Sequence, residues 1–154
     1  MIEEFKVLTN EEVETMLKAP ILVTILIAGA DNEIDKSEMQ QAISITKLKQ
    51  KKARLDLIDY YKEVATDFED KLKVTIQQYP SSAAERNPLI IKELEDLNAI
   101  LPRLSSHFAI EFFASIKDLA KKIAESSGGL LGYMAVGYEE SKLIGLKMIK
   151  DPSQ

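Results

Sequence analysis

Apolar residues recur three and four positions apart along nearly the whole chain, and no stretch alternates strictly enough to suggest a strand. The pattern predicts helices. Thr9 and Glu12 form a T-x-x-E capping box that opens a short helix running toward Lys18. Pro20 suits the first turn of a second helix, where its missing N–H costs nothing. That helix, continuing to about Ala30, is apolar almost all round and should be central. Asp35 with Glu38 makes a second box-like start, leading to a third helix with Met39, Ala42, Ile43 and Thr46 on one face. From about residue 53 to 79 a long stripe follows: Leu55, Ile58, Tyr61, Ala65, Phe68, Leu72, Ile76 and Tyr79. Unbroken, it would measure about 40 Å.

Residues 80–88, PSSAAERNP, read as a loop, with Asn87 capping a helix that has Pro88 at its first position. Ile90, Leu94, Leu97 and Leu101 form its stripe, and Pro102 should kink or end it. A further helix to about Ser126 turns Leu104, Phe108, Phe112, Ile116, Leu119 and Ile123 inward. Residues 126–138, SSGGLLGYMAVGY, are a loop by composition, and a last helix should run from about Glu139 to Lys150. The expected fold is an all-α, compact single-domain bundle of six or seven helices spanning 1–154, with 152–154 as a disordered tail. Within it, two helical hairpins would carry an acidic turn and a Gly-rich turn that could meet.

Composition narrows the chemistry. The 154 residues carry a formal net charge of −5, which favours neither nucleic acid nor anionic membrane as a partner. Cysteine is absent, removing disulfides, thiolate metal sites and thiol nucleophiles. The most apolar run, APILVTILIAGA at 19–30, is too short to cross a bilayer, which needs about 20 residues. The N-terminus lacks the basic and apolar blocks of a secretory signal, so a soluble cytoplasmic protein is expected. The basic cluster Lys47, Lys49, Lys51, Lys52 and Arg54 has no interleaved aromatics and reads as a solvated helix junction.

Catalytic constellations are missing. There is no G-x-S-x-G elbow and no phosphate-binding G-x-x-x-x-G-K-[ST] loop. The single histidine, His107, lies one turn before Glu111; the two suit a local hydrogen bond and lack the third ligand that zinc needs. The expectation is a non-enzymatic protein.

The densest chemistry is ADNEIDKSE, residues 30–38. Its oxygen-bearing side chains Asp31, Asn32, Glu33, Asp35 and Glu38 suit a hard cation such as Ca²⁺, Mg²⁺ or Mn²⁺. The spacing imitates the second half of an EF-hand loop, but Ile27 and Gly29 occupy the positions of the first two ligands, which excludes a true EF-hand. A plain alternative is a helix start, with Asp35 capping, Glu38 completing the box, and Asp31 and Glu33 solvated.

ADNEIDKSE after an apolar helix resembles the A-D-G-E-I-[D/S]-x-x-E turn of the tellurite-resistance TerB-like family, with Asn32 where that family has Gly. The tail SSGGLLGYMAVGYEESK resembles the family's second, Gly-rich turn, followed by an acidic helix start. The resemblance implies an all-helical bundle with an acidic surface cluster, a bacterial stress context related to tellurite resistance, and divalent-metal binding. Carried over by position, the metal ligands would be Asp31, Glu33, Asp35, Glu38 and Glu140. A basic protein partner docking on the same carboxylates is the other use of such a turn. The alternative is a metal-free protein–protein interaction scaffold using the 130–138 loop or the 53–79 helix; the partner is an unidentified protein, and a homodimer is a further expectation.

Overall fold

The computed structural model describes residues 2–30, 34, 36–52, 55–126 and 143–154, the side chains of 52, 55 and 56 apart. The protein is all-α. Among the described residues a short 3-10 turn (Glu3–Val7) precedes α1 (Asn10–Ala28), α2 (Lys36–Lys52), α3 (Leu55–Ala65), α4 (Phe68–Gln78), α5 (Ala83–Glu95), the single-turn α6 (Leu97–Ile100) and α7 (Ser106–Ser126).

α1 is the axle of the bundle. Its start is the expected capping box: the Glu12 N–H donates to Thr9 Oγ1 at 3.1 Å, and the Thr9 N–H donates to Glu12 Oε1 at 2.9 Å. The expected break at Pro20 does not occur; one helix of 19 residues runs through it. Proline deprives the carbonyl four residues earlier, at Met16, of its helical donor. The Tyr60 hydroxyl, brought in by α3, donates to that carbonyl at 2.5 Å. The deficit is therefore met from a neighbouring helix, deep in the core, where an unmet carbonyl would be costly. Every residue from Ala19 to Ala28 is buried, and α7, α5, α2, α4 and α3 all pack against this helix. An all-round apolar sequence becomes an all-round buried helix.

The long stripe of 53–79 breaks in two. α3 ends at Ala65, and the Thr66 hydroxyl donates back to the Lys62 carbonyl at 2.9 Å, a local bond that competes with helix continuation. α4 restarts after Asp67, whose carbonyl accepts from the Lys71 N–H at 2.9 Å. The three-and-four spacing survives the break: Leu57, Tyr60, Tyr61, Val64, Phe68 and Leu72 are all buried. Hydrophobic spacing alone therefore could not reveal it.

Residues 80–88 are not simply a loop. Ser82 is the N-cap position of α5, and Pro88 lies inside the helix. Pro88 and Ala84, whose carbonyl it leaves without a helical donor, are both exposed, so water can serve there. The Ile90, Leu94, Leu97 and Leu101 stripe is buried as expected, and the chain leaves its helical course at the 3-10 turn Leu101–Arg103 around Pro102. The inward face of α7 is also as expected, with Phe108, Phe112, Ile116, Leu119 and Ile123 buried.

The described part of the expected last helix is mostly turns. Leu143 is helical and residues 144–150 are not. Asn98 fastens this segment: its Nδ2 donates to the Met148 carbonyl at 2.9 Å, and the Lys150 N–H donates to its Oδ1 at 2.7 Å. Leu146 has a φ of 47°, a left-handed conformation costing a leucine about 1–2 kcal/mol. Its side chain is fully buried, which offsets that cost. Residues 151–154 form a turn in which Asp151 accepts from the Ser153 N–H and hydroxyl.

The Pro20–Tyr60 relation is testable by a double-mutant cycle read by urea denaturation. Tyr60→Phe should cost about 1–3 kcal/mol by leaving the Met16 carbonyl unmet in the core. In a Pro20→Ala background, where residue 20 regains its N–H, the same change should cost about 1 kcal/mol less. Equal costs in both backgrounds would reject the substitution of one donor for the other.

Candidate functional site

Two regions bear on the expected function: the start of α2, which follows the acidic sequence, and a groove between α2 and α7. At the turn, Asp31, Glu33 and Asp35 lie outside the described residues, as does Glu140 in the second turn. Glu38 is described and departs from expectation. It was expected to belong to an acidic surface cluster, yet it is fully buried. α2 begins at Lys36, so Glu38 is its third residue, with two of the preceding backbone N–H groups pointing toward the N-terminal end where a negative charge is favoured. Ile34, the one described residue between Ala30 and Lys36, packs against the core, which anchors the turn to the bundle.

Beneath the end of α1 lies a residue that sequence reasoning missed. Arg86, in a stretch taken for a loop, is 2% exposed. Its Nη2 donates to the Gly29 carbonyl at 2.6 Å and its Nη1 to the Ser81 carbonyl at 2.9 Å. A guanidinium on the last carbonyls of a helix also meets the negative end of the helix dipole. Burial lowers its pKa from the ordinary value, but an arginine starts so high that it stays charged. Gly29 makes the approach possible, since a Cβ there would lie 2.6 Å from Arg86 Nη2 and 2.8 Å from the Ile25 carbonyl oxygen. The only legible hint was an arginine at helical spacing before Ile90 and Leu94.

The α2–α7 groove has a volume of about 630 Å³. On α7, His107, Ile110, Glu111, Ala114, Ser115, Asp118 and Lys122 line it at helical spacing, beside the buried stripe of Phe112, Ile116 and Leu119. α2 contributes Leu48 and Lys49, and Leu57 of α3 completes the wall. Lys49 was expected to be a solvated member of a basic cluster. Its side chain is only 14% exposed and turns onto α7, while Lys47 and Lys51 remain exposed. Its Nζ donates to Asp118 Oδ2 at 3.2 Å and to Ser115 Oγ at 3.1 Å, and it lies 5.6 Å from the centre of the Tyr61 ring. Lys122 reaches the same Asp118 Oδ2 at 3.1 Å. Ser115 Oγ and the buried Tyr61 hydroxyl share a hydrogen bond of 2.6 Å.

Burial works to raise the Asp118 pKa, but hydrogen bonds and charge from Lys122 and Lys49 outweigh it and hold the carboxyl below its ordinary value. Burial drives the Tyr61 hydroxyl well above the ordinary phenol range, so it stays protonated. Lys49 thus donates to both Asp118 and Ser115, tying α2 to α7. At the other end of the groove His107 Nε2 lies 3.2 Å from Glu111 Oε1, as the one-turn spacing foretold. Among the described residues no group of three or more His, Asp or Glu side chains is placed to hold a metal ion, and no helix is long and apolar enough to cross a membrane. No family model, curated protein or solved structure matches the chain.

Two outcomes follow for these sites. Gly29→Ala should destabilise the fold by about 1–3 kcal/mol in chemical denaturation, because the added methyl has to displace the Arg86 guanidinium; an unchanged midpoint would refute that packing. For Asp118, a depressed folded pKa means its contribution is complete above the ordinary carboxylate value of about 4 and is lost as pH falls through the folded value. Asp118→Asn should therefore melt below the parent chain at pH 7, and the two curves should converge in strong acid.

Proposed function

We propose that the protein is a non-enzymatic, TerB-like helical binding protein that takes up a divalent cation, Ca²⁺, Mg²⁺ or Mn²⁺, at the acidic turn. Asp31, Glu33, Asp35 and Glu38 would supply the oxygens, with Glu140 joining them if the second turn comes close. The observation that carries this reading is the full burial of Glu38 at the head of α2. The residues before it, Asp31, Glu33 and Asp35, add negative charge. A hard divalent cation is the species that such a set of oxygens stabilises best. The all-α fold and the anchoring of Ile34 in the core also fit the resemblance. A cytoplasmic, stress-related role belongs to the same proposal.

Arg86 favours a second reading, a metal-free interaction scaffold. Its buried guanidinium on the Gly29 carbonyl lies two residues before Asp31 in sequence, and it could be the resident cation of this region. Among the described residues, the 53–79 segment gives that scaffold little binding surface, because Leu57, Tyr60, Tyr61, Val64, Phe68 and Leu72 are buried and Val74 is its one exposed large apolar residue. The 130–138 loop lies outside the described residues.

Isothermal titration of chelator-treated full-length protein separates the readings. Metal binding predicts a saturable one-to-one heat with at least one of Ca²⁺, Mg²⁺ and Mn²⁺, a rise in melting temperature with metal, and at least a tenfold loss of affinity in both Asp31→Asn and Glu38→Gln. No heat and no thermal shift at millimolar metal would sink the cation reading. A large fall in the melting temperature of Arg86→Met, without any metal effect in the parent, would favour the internal cation.

A further inference from the structure

We draw no further inference here: the strongest candidate, the groove between α2 and α7 with exposed Leu48 and Ile110 on its walls, carries nothing, because its lysines are already paired with Asp118 and nothing in the structure shows what covers it.

Discussion

One hydrogen bond governs the architecture: the Tyr60 hydroxyl on the Met16 carbonyl. Proline in a helix interior removes a donor and crowds the carbonyl one turn earlier, at a cost of about 3 kcal/mol. α1 carries that defect where no water reaches, since Met16 and the whole of Ala19–Ala28 are buried. By answering it from α3, the bundle keeps a single straight-through helix as its centre and ties α3 to it at a fixed register. The aromatic cluster follows from that register. Tyr60 meets Phe5, Tyr61 and Phe112 edge-on, at centroid distances of 6.2, 5.0 and 5.5 Å, linking the N-terminal turn, α3 and α7 around α1.

The same tie places both polar regions. Tyr61, next to the anchoring residue, shares a hydrogen bond with Ser115 and places its ring 5.6 Å from the Lys49 ammonium, so from the core it supports two residues that line the α2–α7 groove. At its far end, α1 finishes at Gly29 against the buried Arg86, and the acidic turn departs from there. A buried guanidinium, a buried Glu38 and a run of acidic residues are thereby attached to one end of the most deeply buried helix of the bundle. Electrostatics at that end acts through a low-dielectric surrounding, where compensation matters far more than at an open surface.

Charge in the groove is arranged differently. Asp118 is shared by Lys49 and Lys122, and the arrangement is half-open to solvent. Such pairs add little to stability by themselves. Their effect is to fix the direction of two ammonium groups at one end of a groove that also carries exposed Leu48 and Ile110 and, at its other end, His107 and Glu111.

Sequence by itself determined the all-helical class, the Thr9–Glu12 cap, the buried stripes of α5, α6 and α7, and the centrality of the 19–30 run. Each is written in local spacing, which a helix converts directly into a face. It also located the His107–Glu111 pair, because a one-turn separation needs no tertiary information. Only the tertiary structure decided the rest. Pro20 reads as a helix start until a distant tyrosine supplies the missing donor, and the break at Thr66–Asp67 is invisible because the buried stripe keeps its spacing across it. The fate of charged residues was equally hidden: Lys49 looks like one of five basic neighbours, Arg86 falls in a stretch that reads as a loop, and Glu38 reads as part of a helix start. A charge enters a protein interior only where another element brings its partner, and that pairing arises from packing between helices far apart in the chain.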